Sequence, residues 1–281
     1  MRRFVPWLSV LASIPALMAF YWASMALLAP MPSCRDDWAC RAATAGSRIA
    51  LPFEQVAEAA SVLPHRDPDE LYGTFYYILG SQMAARGQVL SAETLLGNAV
   101  ALMPNDAEAL FNYAITLEKL GKGPEALDAF NRLLALDPDN IEAYYYKGHL
   151  YDKLGRLDDA VAALRKALAL EPNNAFIHYD LGVLFAKDEA FPESAYHSER
   201  ALALGRMTAE TYNNYGYALA HLGRYDESLK AINRSLGLNP ESAAALDSKG
   251  FVYHRMGRFQ EALDWYNKAL DLEPTLAEIY L

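Results

Sequence analysis

Residues 107–140 read AEALFNYAITLEKLGKGPEALDAFNRLLALDPDN, and residues 141–174 read IEAYYYKGHLYDKLGRLDDAVAALRKALALEPNN. Laid one under the other, the two stretches agree at a spacing of 34 residues. The same spacing runs from 73 to 276 as six consecutive copies (73–106, 107–140, 141–174, 175–208, 209–242 and 243–276). Counting from the first residue of each copy, position thirty-two holds Pro104, Pro138, Pro172, Pro240 and Pro274. Position fifteen holds Gly87, Gly121, Gly155, Gly223 and Gly257. Position eight holds Gly80, Ala114, Gly148, Gly182, Gly216 and Gly250, and position twenty holds Ala92, Ala126, Ala160, Ser194, Ser228 and Ala262. A fixed period of this length marks a stack of repeated units.

Each of these residues has a mechanical reason. A glycine at position fifteen can take φ > 0 just past a helix end. A proline at position thirty-two cannot continue a helix and stops the second one. Small residues at positions eight and twenty let two helices approach closely. Between these marks the apolar residues keep a helical period, as in Leu127, Phe130, Leu133 and Leu134, and no run alternates as a strand would. The unit is a pair of antiparallel helices, and the fold class expected is all-α, an α-solenoid of six helix-turn-helix repeats.

These residues resemble the tetratricopeptide repeat family, whose motif has small residues at positions eight and twenty, an aromatic near twenty-four and proline at thirty-two. Phe130 and Tyr266 supply that aromatic, while Leu96, Leu164 and Ile232 replace it. The resemblance implies a right-handed superhelix with a concave face lined by first-helix positions two, five, six, nine, twelve and thirteen. It does not imply one activity, since fold and function are separate inferences.

The fourth copy departs most. Glu189 stands for the turn glycine, Ser198 for the large residue at position twenty-four, and Arg206 for the proline. Pro192 fits the start of a second helix, as Pro124 does. Tolerated drift, looser packing or contact with another molecule would each account for these changes.

The flanks read differently. After Arg2 and Arg3 no charged residue occurs until Arg35, and residues 4–29 are apolar and long enough to cross a bilayer as a helix. Trp7 and Trp38 suit the two interfaces. Residues 1–32 are expected to form an N-terminal transmembrane anchor of the inner (plasma) membrane, with the repeats on the extracytoplasmic side. A cleaved signal, or a lipoprotein acylated at Cys34, is the alternative. Cys34 and Cys40 can close a small loop in an oxidising compartment, or stand as idle thiols. Residues 33–49 read as a linker, and 52–63 as a short amphipathic helix covering the front of the array, within a segment 33–72. Residues 277–281 begin a further helix, leaving an end that either continues or docks on a partner or a second copy.

Composition bounds the chemistry. Of 281 residues, 53% are hydrophobic and 21% charged, so the chain as a whole is not disordered. A net charge of −10 repels phosphate, and nucleic acid is not an expected partner. No catalytic motif, phosphate loop, CxxC or metal-ligand spacing occurs, so no catalysis, metal or cofactor is expected. His178 occupies a core position, and Asp158 and Asp159 sit at a second-helix start, where they favour the helix dipole.

What remains is a binding face. Position five reads Tyr77, Phe111, Tyr145, Tyr179, Asn213 and Asp247. Position nine includes His149, Tyr217 and Phe251, and position six adds Asn112 and Asn214. Aromatics give contact area at low entropic cost, and asparagine can bond a peptide backbone. The aromatics at position five can equally be packing residues between adjacent first helices. The Lys and Asn clamp by which chaperone-tail-binding members of the family hold a terminal carboxylate has no counterpart here. The function expected is a non-catalytic interaction scaffold of the cell envelope that binds a protein segment. Carbohydrate binding in polysaccharide export, or regulation of an enzyme on another chain, are the alternatives.

Overall fold

The computed structural model describes residues 68–275 of the chain. The apolar segment 4–29, Cys34, Cys40, the stretch 33–49, the helix expected over 52–63 and residues 277–281 lie outside the described residues. Among the described residues there are twelve helices in tandem pairs and no strand. None of these helices is long and apolar enough to cross a membrane.

The chain divides after Asp137 into two compact units. The first holds α1 (Pro68–Ala85), α2 (Val89–Leu102), α3 (Ala107–Lys119) and α4 (Gly123–Leu136). The second holds α5 (Ile141–Lys153), α6 (Leu157–Leu170), α7 (Ala175–Lys187), α8 (Phe191–Ala203), α9 (Ala209–His221), α10 (Tyr225–Leu238), α11 (Ala243–Arg255) and α12 (Phe259–Leu272). Within each unit a helix packs on its pair partner and each pair packs on the next. In the second unit the first helices α7, α9 and α11 also touch in succession.

Helix ends follow from local chemistry. The first helices are capped by Asp106, Asn140, Asn174, Thr208 and Ser242, whose side chains accept backbone N–H groups of the first turn. Second helices lack such a cap; three of them instead hold an ion pair across their first turn, Arg156–Asp159, Arg224–Glu227 and Arg258–Glu261. First helices end with φ near +75° at Gly87, Gly121, Gly155, Gly223 and Gly257. At Gly121 the N–H bonds Glu118 O and the next N–H bonds Leu117 O, the Schellman arrangement. Before the prolines, residues such as Glu171 (φ −130°, ψ 79°) leave the helical region, as a residue preceding proline must.

The fourth copy keeps the same geometry by other means. Glu189 adopts φ 57° in the glycine position. The second helix α8 ends on Gly205 (φ 97°), with Arg206 N–H donating to Ala201 O at 3.0 Å, a bond that proline cannot make. Glycine has taken over the stop signal, and this is why proline is missing there. Copy four is also packed: Ser194 and Ser198 are buried, and Ser194 Oγ donates to Gly182 O at 2.8 Å.

Close helix approach is visible at position eight. A Cβ on Gly148 would lie 2.8 Å from Leu164, and one on Gly216 2.6 Å from Ile232 Cγ1. Positions eight and twenty-four therefore interlock within each pair. Around them Ala160, Leu164 and Ala167 of α6 meet Ile177, Leu181, Leu184 and Phe185 of α7 in one apolar cluster. Ala220, Ile232 and Val252 form the corresponding layer of α9, α10 and α11.

Candidate functional site

The candidate residues sit on first helices, and each unit presents its own set. In the first unit the Tyr77 hydroxyl donates to Glu108 Oε2 at 3.1 Å and accepts from Asn112 Nδ2 at 3.1 Å. Burial, then the Glu108 carboxylate, raises the Tyr77 pKa. Phe111 packs edge-on against the fully buried Phe130, with ring centroids 6.2 Å apart. This unit thus brings Tyr77 and Asn112 together, and it uses Phe111 partly as packing.

In the second unit Tyr145, on α5, is half-buried against the α6–α7 cluster. Its ring meets His149 edge-on at 4.5 Å. His149 Nε2 lies 3.1 Å from Asp180 Oδ2. Burial, then the charge and hydrogen bond of Asp180, lift the Tyr145 hydroxyl far above the usual phenol range, so it stays protonated and donates. At Tyr145 the ring packs, and the hydroxyl edge belongs to a polar cluster with Asp180. Tyr179 carries the Arg206 guanidinium over its ring at 4.2 Å, and Phe176 carries the same group at 4.6 Å.

Further along, Asn213 and Asn214 on α9 are half-buried, and Asn213 Oδ1 is buried with no hydrogen-bond partner among the described residues. Tyr217 meets Phe191 (6.1 Å), His221 (4.6 Å) and Phe251 (5.7 Å). His221 stacks on Phe191 at 3.8 Å and on Phe251 at 4.7 Å. Asp247 on α11 is pushed up by burial to about 6.

Two features escaped the sequence. Arg206 reads there only as an absent proline, because Arg156, Arg224 and Arg258 also stand between helices and nothing in the sequence tells the unpaired one from the paired. Phe191, the first residue of a second helix, joins the aromatic stack of α9 and α11. Among the described residues no group of acidic, His or Cys side chains is arranged to hold a metal ion.

Family models described as tetratricopeptide repeat match residues 83–147 and 207–273, and one described as TPR repeat matches residues 148–188. The chain is a tetratricopeptide-repeat protein. No curated protein is similar enough in sequence to count as a match. Among solved structures, this tetratricopeptide-repeat chain is similar to YrrB, described as a TPR protein with an unusual peptide-binding site. The two are 26% identical with a TM-score of 0.57, over 66% of this chain and 98% of that one. It is similar to the MamA protein at 25% identity and a TM-score of 0.55, over 62% of this chain and 96% of that one. PilF of Pseudomonas aeruginosa (18% identity, TM-score 0.59, 74% and 95% covered) shares the fold. Proteins of this repeat type are generally non-catalytic interaction scaffolds, and that coarse role is the one the likeness supports.

Proposed function

We propose that this protein is a membrane-anchored scaffold of the cell envelope that binds an extended segment of a partner protein across the first-helix face of residues 141–255. The observation that carries the reading is Asn213. Its amide oxygen is buried, unpartnered among the described residues, and placed at the fifth position of α9 beside Tyr217 and Asn214 on the same helix. A buried acceptor without a donor costs about 1–3 kcal/mol; the Asn213 side chain, half-buried as a whole, turns to bring that oxygen to a peptide N–H, which offsets the cost on binding. The half-buried aromatics Tyr145, Tyr179 and Tyr217 supply contact area around it. YrrB's peptide-binding site lends the reading support from a related fold. The apolar segment 4–29 supports the anchor.

Peptides selected from a random display library on the full-length chain test the reading. Asn213→Ala should weaken a selected peptide about tenfold, in line with a lost hydrogen bond, and leave the melting temperature equal or higher. Asn267→Ala, on the exposed surface of α12, should change neither. Selected peptides that ignore Asn213, or no selected peptide at all, would refute this reading. Membrane retention after a carbonate wash checks the anchor; release of a shortened soluble form would favour cleavage.

A further inference from the structure

Among the described residues, Arg206 is a cation with no carboxylate in ion-pair contact. Its guanidinium lies over Tyr179 at 4.2 Å and Phe176 at 4.6 Å. Its Nε is buried with no hydrogen-bond partner, and it has no ion pair among the described residues. The carboxylates nearby are committed elsewhere. Asp180 faces His149 Nε2 at 3.1 Å and the Tyr145 hydroxyl. Glu210 bonds its own backbone N–H and the Thr208 hydroxyl, and feels Arg206 only as a weaker charge. The cations at second-helix starts differ: Arg156, Arg224 and Arg258 are each paired three residues on, and Lys122 is paired with Glu93. A guanidinium held over two aromatic rings has little rotamer freedom left to lose, and its planar fork suits an oxyanion.

We propose that Arg206 is the receptor for a carboxylate side chain, Asp or Glu, within the partner segment; this rests on the peptide-binding reading above. A carboxylate fits better than a phosphate because Glu210, which feels the Arg206 charge, stands close enough to penalise a dianion. An internal side chain fits better than a chain terminus because candidate contacts lie on first helices both before Arg206 in sequence, at Tyr145 and His149, and after it, at Asn213 and Tyr217. The role departs from the proline the family places at this position.

The test uses the full-length chain and 12-residue peptides from a random, unphosphorylated display library. Selected peptides should share Asp or Glu at one aligned position. Changing that residue to its amide should weaken binding about tenfold to the unaltered chain, and less than about twofold to Arg206→Gln. Arg206→Lys, which keeps charge but loses the planar stack, should fall between. Amidating the peptide's C-terminus should change little, and helicity with melting temperature confirms that both variants fold. The proposal fails if the acid-to-amide effect survives in Arg206→Gln, if amidation abolishes binding, or if a phosphorylated residue at the aligned position binds tighter than Glu. Peptides that depend on Asn213 but not on Arg206 overturn this proposal alone. Absence of any selected peptide overturns it together with the peptide-binding reading.

Discussion

Glu189 holds φ at 57° where five other first helices place glycine. A side chain in the left-handed region costs roughly 1–2 kcal/mol, part of which glycine returns through the greater entropy of its unfolded chain. Glu189→Gly should therefore raise stability by about 0.5–1 kcal/mol, read as a higher denaturant midpoint at unchanged slope. The buried pair His178 and His197 works in the opposite sense. His178 Nε2 lies 3.2 Å from Pro172 O and must donate, so its Nδ1 accepts from His197 Nδ1 at 2.9 Å. A proton on His178 Nδ1 would set two donors face to face, so that ring must stay neutral, while His197 is kept neutral by burial and by the nearby Arg165. Burial lowers the His178 pKa, with Arg200 adding to it. Burial, then His178 and Arg165, lower that of His197 to about 4. The unfolded chain therefore binds protons first, and the pair's contribution, complete above about pH 6.5, is lost as pH falls toward 4. Asp247, raised to about 6 by burial, has the opposite sign, favouring the fold as pH falls below 6. Comparing the chain with a His178→Leu, His197→Ala double variant cancels Asp247. Melting temperatures of the two should converge or cross between pH 6.5 and 4, and parallel curves would show that the pair does not titrate on unfolding.

At the scale of helices, pairing depends on side chains too small to hold the backbones apart. Gly216 meets Ile232 Cγ1, where an added Cβ would lie at 2.6 Å, and Ser228 O, at 3.2 Å. Ile232 is fully buried and stiff at χ1, so it cannot swing away. Gly216→Ala should lose about 1–2 kcal/mol, the overpacking exceeding alanine's gain in helix propensity. An unchanged melting temperature would mean that α9 and α10 can move apart freely. This interlock was legible in the sequence because position eight repeats a small residue six times, and the turn glycines and prolines were legible for the same reason. The caps at Asp106, Asn140, Asn174, Thr208 and Ser242 recur at the same spacing but change residue type, which hides a shared role. Gly205 and Arg206 were harder still. There the stop signal moved from proline to glycine, and the freed position carries a cation whose aromatic neighbours lie about thirty residues upstream at Phe176 and Tyr179. His197 was unreadable as the partner of His178, since nothing in a one-dimensional pattern pairs position four with position twenty-three.

Across the molecule, four buried polar atoms among the described residues lack a hydrogen-bond partner: Ser235 Oγ on the second helix α10, and Asn213 Oδ1, His221 Nε2 and Arg206 Nε, which lie in or just before the first helix α9. A chain of net charge −10 that leaves this arginine unpaired has a local preference opposed to its overall field. The central claim is that a partner segment lies on the first-helix face of the second unit. Hydrogen exchange, followed by mass spectrometry on the full-length chain with and without a display-selected peptide, tests it most directly. The account predicts slowed exchange in α5, α7, α9 and α11, with α6, α8, α10 and α12 little changed; protection confined to the second helices would contradict it.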